Sequence, residues 1–170
     1  IYDDLDLLAS VNSDILDRNI PQNLKSPENK WFALSKRSRI IVTSKDRVKE
    51  GQITKIEDLA DEQWKGRVCS RPGSHVYNRA LMASLILSLG EKAAEEWAKK
   101  FVGNLARRPQ GNDRAQVKAI FEGQCDISII NNYYFGKLKY SDDPSQRKWA
   151  KSVRLIFPNQ GARDRGAHVI

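Results

Sequence analysis

Short β-branched runs alternate along this chain with stretches of helical periodicity, and no other feature constrains its fold as tightly. Arg39-Ile40-Ile41-Val42-Thr43 has the length and composition of a buried strand. Arg67-Val68-Cys69, Cys125 to Ile130 and Val153 to Phe157 read as further strands. Between them, Ile56 to Leu59 makes a helical turn, and a helix capped by Ser74 puts Leu81, Leu85 and Ile86 on one face before Gly90 stops it. A helix from Glu91 to Phe101 is expected to bury Ala94, Trp97 and Phe101. The next, capped by Asp113, turns Val117, Ile120 and Phe121 inward and ends at Gly123. A short helix starts around Tyr133, and another runs from Ser145 to Lys151. Such alternation predicts an α/β fold on a parallel or mixed sheet, with ligands at the carboxyl ends of the strands.

Charge is the next question, because 29 Lys and Arg face 21 Asp and Glu. A basic balance suits nucleic acid or an anionic ligand. Here, however, the positive charge is spread over residues 30–55, 99–118 and 137–165, while the first 17 residues hold five aspartates and no Lys or Arg. With no arginine-rich arm or isolated recognition helix, it reads as solvated surface, and no nucleic-acid partner is expected. The apolar stretch Leu81 to Leu89 is too short to span a bilayer. Two cysteines and no Cys/His cluster exclude a disulfide-rich scaffold and a zinc module. Both ends read as cut. The opening is acidic with no initiating Met, and Ala167 to Ile170 breaks off in an apolar run just begun.

Two strand-to-helix junctions present tyrosines where this fold places function. One is Arg71-Pro72-Gly73-Ser74-His75-Val76-Tyr77-Asn78; the other is Ile129-Ile130-Asn131-Asn132-Tyr133-Tyr134. Tyr77 follows Cys69, and Tyr133 follows Cys125, by the same interval, so parallel neighbouring strands would bring both to one sheet edge. Phenol has a pKa of about 10 and is a poor ligand unaided. A helix N-terminus favours the phenolate, and a trivalent metal displaces the proton outright. Tyrosinate is a hard donor suited to a hard cation. The same residues also suit plain packing, rings in the core and hydroxyls in water. On residue types alone, both readings stand.

A resemblance adds to this. Trp31 to Val42 is similar to the first inter-lobe strand of the ferric-ion-binding proteins that serve ABC iron importers. Trp64-Lys65-Gly66-Arg67-Val68-Cys69 with Val76-Tyr77-Asn78 resembles that family's segment bearing the first lobe-two tyrosine. Pro109 to Asp113, Gly123 and Asp126 to Tyr134 complete the ordered set, over nearly the whole chain. The resemblance implies a type II periplasmic-binding-protein fold: residues 1–43 part of lobe one with the first hinge strand, 44–152 lobe two, and 153–170 the returning hinge strand. It implies a binder and not an enzyme, with Tyr77, Tyr133 and Tyr134 holding ferric iron in an inter-lobe cleft, and a synergistic anion such as carbonate beside it. The partner would be an inner-membrane permease, the protein a monomer, and its location periplasmic, or extracellular and membrane-tethered.

The family's first-lobe ligands have no match in residues 1–30, and Tyr2 stands in the wrong context. His75 departs from the usual family wording and is expected beside the site. In an oxidising periplasm Cys69 and Cys125, at equivalent depths on neighbouring strands, are expected to bridge, with two buried thiols as the alternative. The nearer rival is the same fold with another small ligand, a polyamine, thiamine or a phosphate-like anion, and Arg71, Arg107 and Arg108 keep the anion open. A basic nucleic-acid module is the more distant rival.

Overall fold

A run of six buried residues, Arg39–Ser44, forms the strand β1 on which the larger part of the molecule is assembled. The structure is a computed structural model that describes residues 2–161 and 166–169. It divides into two units, Ile1–Lys36 and Arg37–Ile170. In the first unit, Ser13 caps a short helix α1 (Asp14–Asn19), and Lys25 bridges to Phe32 in antiparallel sense. Three of its aspartates are occupied locally: Asp3 accepts from the Trp31 indole, Asp6 pairs with Lys30 and Asp17 with Lys25.

The second unit is a four-stranded mixed sheet in the order β2-β3-β1-β4, with β2 Val68–Cys69, β3 Ile127–Asn131 and β4 Val153–Ile156. Antiparallel to β1 run β3, with Arg39 opposite Asn131, and β4, with Ser44 opposite Val153. Among the described strands, β2 and β3 run parallel. Side chains alternate between sheet faces, so β1 feeds two cores. Ile41 joins Ile127, Ile129 and Val68 under α2 (Val76–Leu89) and α3 (Glu91–Gly103), which supply Leu81, Leu85, Ala94 and Trp97. Ile40 and Val42 join Ile130 and Cys69 under α4 (Asp113–Phe121), α5 (Asn132–Lys139) and α6 (Pro144–Ser152), which supply Val117, Ile120, Leu138 and Ala150. Burial on both faces explains why these strands are apolar runs and not alternating ones.

Several local expectations move by a residue or a face. His75, not Ser74, caps α2, with its Nδ1 accepting from the Tyr77 amide. Asn112, not Asp113, caps α4, which frees Asp113 to enter the core as the first helical residue. Gly111 precedes that cap at φ +72°, where a Cβ would meet the Ala115 Cβ at 2.8 Å. Ile86 and Phe121 turn outward, 40% and 45% exposed, because each helix presents only a narrow stripe to the sheet. Cys125 lies before β3 instead of within it, and Cys69 is the register partner of Ser128. The two cysteines therefore do not sit at equivalent depths. They are nonetheless bridged, with Cα atoms 5.8 Å apart.

Candidate metal site at two helix starts

Tyr133 and Tyr134 occupy the first turn of α5, which follows β3 without a linker: Asn131 both ends the strand and caps the helix. Tyr77 is the second residue of α2, reached from β2 through residues 70–75. The structure brings Tyr77 and Tyr133 together, their hydroxyl oxygens 3.2 Å apart. Tyr134 joins through its ring, whose centroid lies 4.3 Å from that of Tyr133. Its other side packs on the core beneath α4 to α6. Among the described residues no His, Cys, Asp and Glu side chains group in threes to hold a metal, so the phenols are the hard donors this surface offers.

Cations surround the pair. Arg71 and Arg39 lie over the Tyr77 ring at 4.9 and 5.8 Å, and Lys137 and Arg37 over the Tyr133 ring at 5.5 and 5.8 Å. The hydrogen bond with Tyr133 and burial hold the Tyr77 phenol above its ordinary value. Two helix N-termini aim positive ends at the same place. Neutral phenols here are hydrogen-bonded to each other, and a cation able to displace their protons would gain two anionic oxygens already side by side. His75 stands beside them, its ring 4.6 Å from that of Tyr77, edge to face. Burial, and then the Arg71 charge, push its imidazole below the usual range, which keeps Nδ1 free to accept from the Tyr77 amide.

Beneath the tyrosines lies a network that sequence reasoning missed. Asp113, fully buried, accepts from Arg71 Nη1 at 2.7 Å, Arg39 Nη1 at 3.2 Å and the Asn131 amide at 2.7 Å. Arg39 also donates to Asn131 and Asn78 side chains, and Asn78 donates to Ser70 and to the Arg71 carbonyl. Burial lowers the Arg39 pKa more than Asp113 restores it, and neighbouring Arg71 lowers it further. One carboxylate thus ties both tyrosine junctions together. The available signal was Asp113 and Asn112 in succession, which made Asp113 look like a cap. Of the remaining sequence candidates, Arg107 donates to Gln124, Arg108 is exposed, and Tyr2 belongs to the other unit. The His168 carbonyl accepts from the Arg39 amide.

Known proteins resemble this chain in sequence and in fold. The sequence is 46% identical over 163 residues to iron uptake protein A1 of Synechocystis, covering 96% of this chain and 45% of that one. The ferric binding protein of Campylobacter jejuni superposes with a TM-score of 0.91 at 38% identity, over 98% of this chain and 52% of that one. The Trichodesmium protein solved with iron and citrate superposes at 0.88 with 46% identity, over 95% and 51%. This chain therefore spans about half the length of the relatives it matches. No described helix is long and apolar enough to cross a membrane, and a relative from Serratia marcescens is a Fe(3+)-binding periplasmic protein. The resemblance seen in the sequence and its α/β fold both hold, and over residues 3–163 the chain matches, and so belongs to, the bacterial extracellular solute-binding protein family.

Proposed function

We propose that this chain carries most of the second lobe of a two-lobed ferric-ion-binding protein, the solute-binding component of an ABC iron importer. Residues 44–152 form the lobe, and 1–43 and 153–170 return to lobe one through β1 and β4 as the hinge. Tyr77, Tyr133 and Tyr134 bind ferric iron as tyrosinates in the inter-lobe cleft, completed by first-lobe ligands and a small anion such as carbonate. The protein works as a monomer in the periplasm, or outside the cell on a membrane tether. It delivers iron to a membrane permease and performs no chemistry on it. Hinge closure would bring first-lobe donors onto a phenol cluster that is already assembled.

The observation that carries this reading is the approach of the Tyr77 and Tyr133 hydroxyls to 3.2 Å, each from the first turn of its own helix. Relatives named for iron uptake and ferric binding support the cargo. Tyr133→Phe and Tyr134→Phe in the full-length protein keep the ring and remove a charge-bearing oxygen. Each is expected to weaken ferric binding by at least about 100-fold, more than second-layer substitutions at metal sites do. The visible tyrosinate-to-iron absorption should shift in parallel. Tyr140→Phe, on a residue 78% exposed, serves as control, and equal small effects at all three positions would refute the site. Affinity should also fall with pH, because each tyrosinate formed releases a proton.

A further inference from the structure

Between α2, α3 and the sheet lies a cavity of about 210 Å³ that shares Arg71 and Asn78 with the network beneath the tyrosines. Leu81, Met82, Trp97, Phe101 and Ile129 give it an apolar wall. A void of about 150 Å³ with walls of this kind already admits benzene. Its polar lining comes from Ser70, Arg71 and Asn78. Ser70 and Asn78 are engaged with each other and with the Arg71 carbonyl. Arg71 is not. Its Nη1 holds Asp113, while Nε is buried without an acceptor and Nη2 makes no hydrogen bond to any described residue. With Nε closed off, Nη2 is the guanidinium donor left to a ligand, and a hydrogen bond from it to a carboxylate is charge-assisted.

The surrounding charge is unbalanced in the same sense. Arg39 and Arg71 share the single carboxylate of Asp113, and the other partners of Arg39 are neutral amides and a carbonyl. A buried cation without its counter-charge is costly. Arg39 is 1% exposed, so the excess positive charge can be met by a ligand only through Arg71, the member that lines the cavity.

We propose that this cavity binds a small amphipathic carboxylate, an aromatic or short branched acid. Its carboxylate accepts from Nη2 of Arg71, and its apolar body fills the space against Trp97, Phe101 and Met82. The inference does not depend on iron binding, although the Arg71 guanidinium that anchors the acid also lies over the Tyr77 ring.

Benzoate and its neutral isostere benzamide test it on the iron-free, full-length protein. Met82 is this chain's one methionine, and its methyl resonance, assigned through Met82→Leu, reports occupancy. Benzoate is expected to shift that resonance saturably, and benzamide to bind about ten-fold more weakly or worse, given the strength of hydrogen bonds to charged groups. Ala98→Trp, which fills the cavity, should abolish the shift while circular dichroism and melting show a folded protein. Should Ala98→Trp fail to fold, the benzoate–benzamide ratio on the unmodified protein decides alone. No shift at millimolar benzoate, equal affinity for the two probes, or undiminished binding in folded Ala98→Trp would each overturn the proposal.

Discussion

The two tyrosine junctions reach one place by different means. After β3 the helix begins at once, so Tyr133 inherits its position from the backbone ladder that sets Asn131 opposite Arg39. After β2, residues 70–75 intervene, and Tyr77 is placed by side chains: Asn78 folds back on Ser70 and Arg71, Arg71 grips Asp113, and His75 caps the helix. A position set by a ladder should tolerate loss of one side chain, whereas a position set by a side-chain network should not. The contrast teaches that α2's junction is the more fragile half of the pair.

The bridge between Cys69 and Cys125 gives the hardest test, because Cys69 ends the strand that leads into the side-chain-built loop. Replacing both cysteines by alanine should cost about 4 kcal/mol in urea unfolding, for a closed loop of 56 residues. Amide exchange should rise first at the start of α2. If α5 opens as early, the contrast fails.

Asp113→Asn comes next, with an expected loss of about 3 kcal/mol, since it leaves two buried guanidiniums without a counter-charge. Asp113 also accepts from the Asn131 amide, so both junctions should shift in amide spectra, Tyr77's by more. Asn78→Ala should cost about 2 kcal/mol through the groups it leaves unpaired. The Tyr77 ring resonances should move while those of Tyr133 stay, and equal displacement would break the comparison.

His75→Ala is the mildest, at about 1 kcal/mol for a lost cap, and carries a pH signature. The folded-state pKa of His75 is depressed, so protonation is harder in the folded chain than in the unfolded one. Its stabilisation is therefore complete above the unfolded value of about 6.5 and is lost as pH falls through the lowered folded value. The penalty for His75→Ala should vanish in acid, while that for Asn78→Ala should persist. Melting curves at neutral and acidic pH separate the two.

How much of this was legible in the sequence depended on whether one residue type had one plausible use. Ile40, Ile41 and Val42 could only be a buried strand, and Trp97 with Ala94 only a helix face, so the sheet and its covering were readable. Ser74-His75 and Asn112-Asp113 each offer adjacent candidates for a cap, and tertiary demand chose between them. Asp113 is drawn inward by two arginines, which leaves the cap to Asn112. The convergence of the tyrosines was anticipated from strand-to-helix junctions, but the matching intervals from the cysteines misstated why. Cys69 lies within its strand and Cys125 ahead of its own, so equal spacing hides unequal connections. Arg39 stayed invisible as a core residue because a charge at the start of an apolar run reads as a strand edge in water.

The pairing of β1 with β4 has a consequence for how such a segment travels between proteins. Ser44 faces Val153, and the Lys45 amide donates to the Ser152 carbonyl at 3.0 Å, so residues 45–152 hang from two adjacent stalks. The stalks are part of its sheet, since β3 within the segment pairs with β1 from Arg39 to Thr43, so a portable unit carries both strands with it. Cut outside the paired strands, at 39 and 156, the piece keeps its ladder and its two ends lie on neighbouring strands, which makes that seam the natural one for duplication, transplantation or circular permutation.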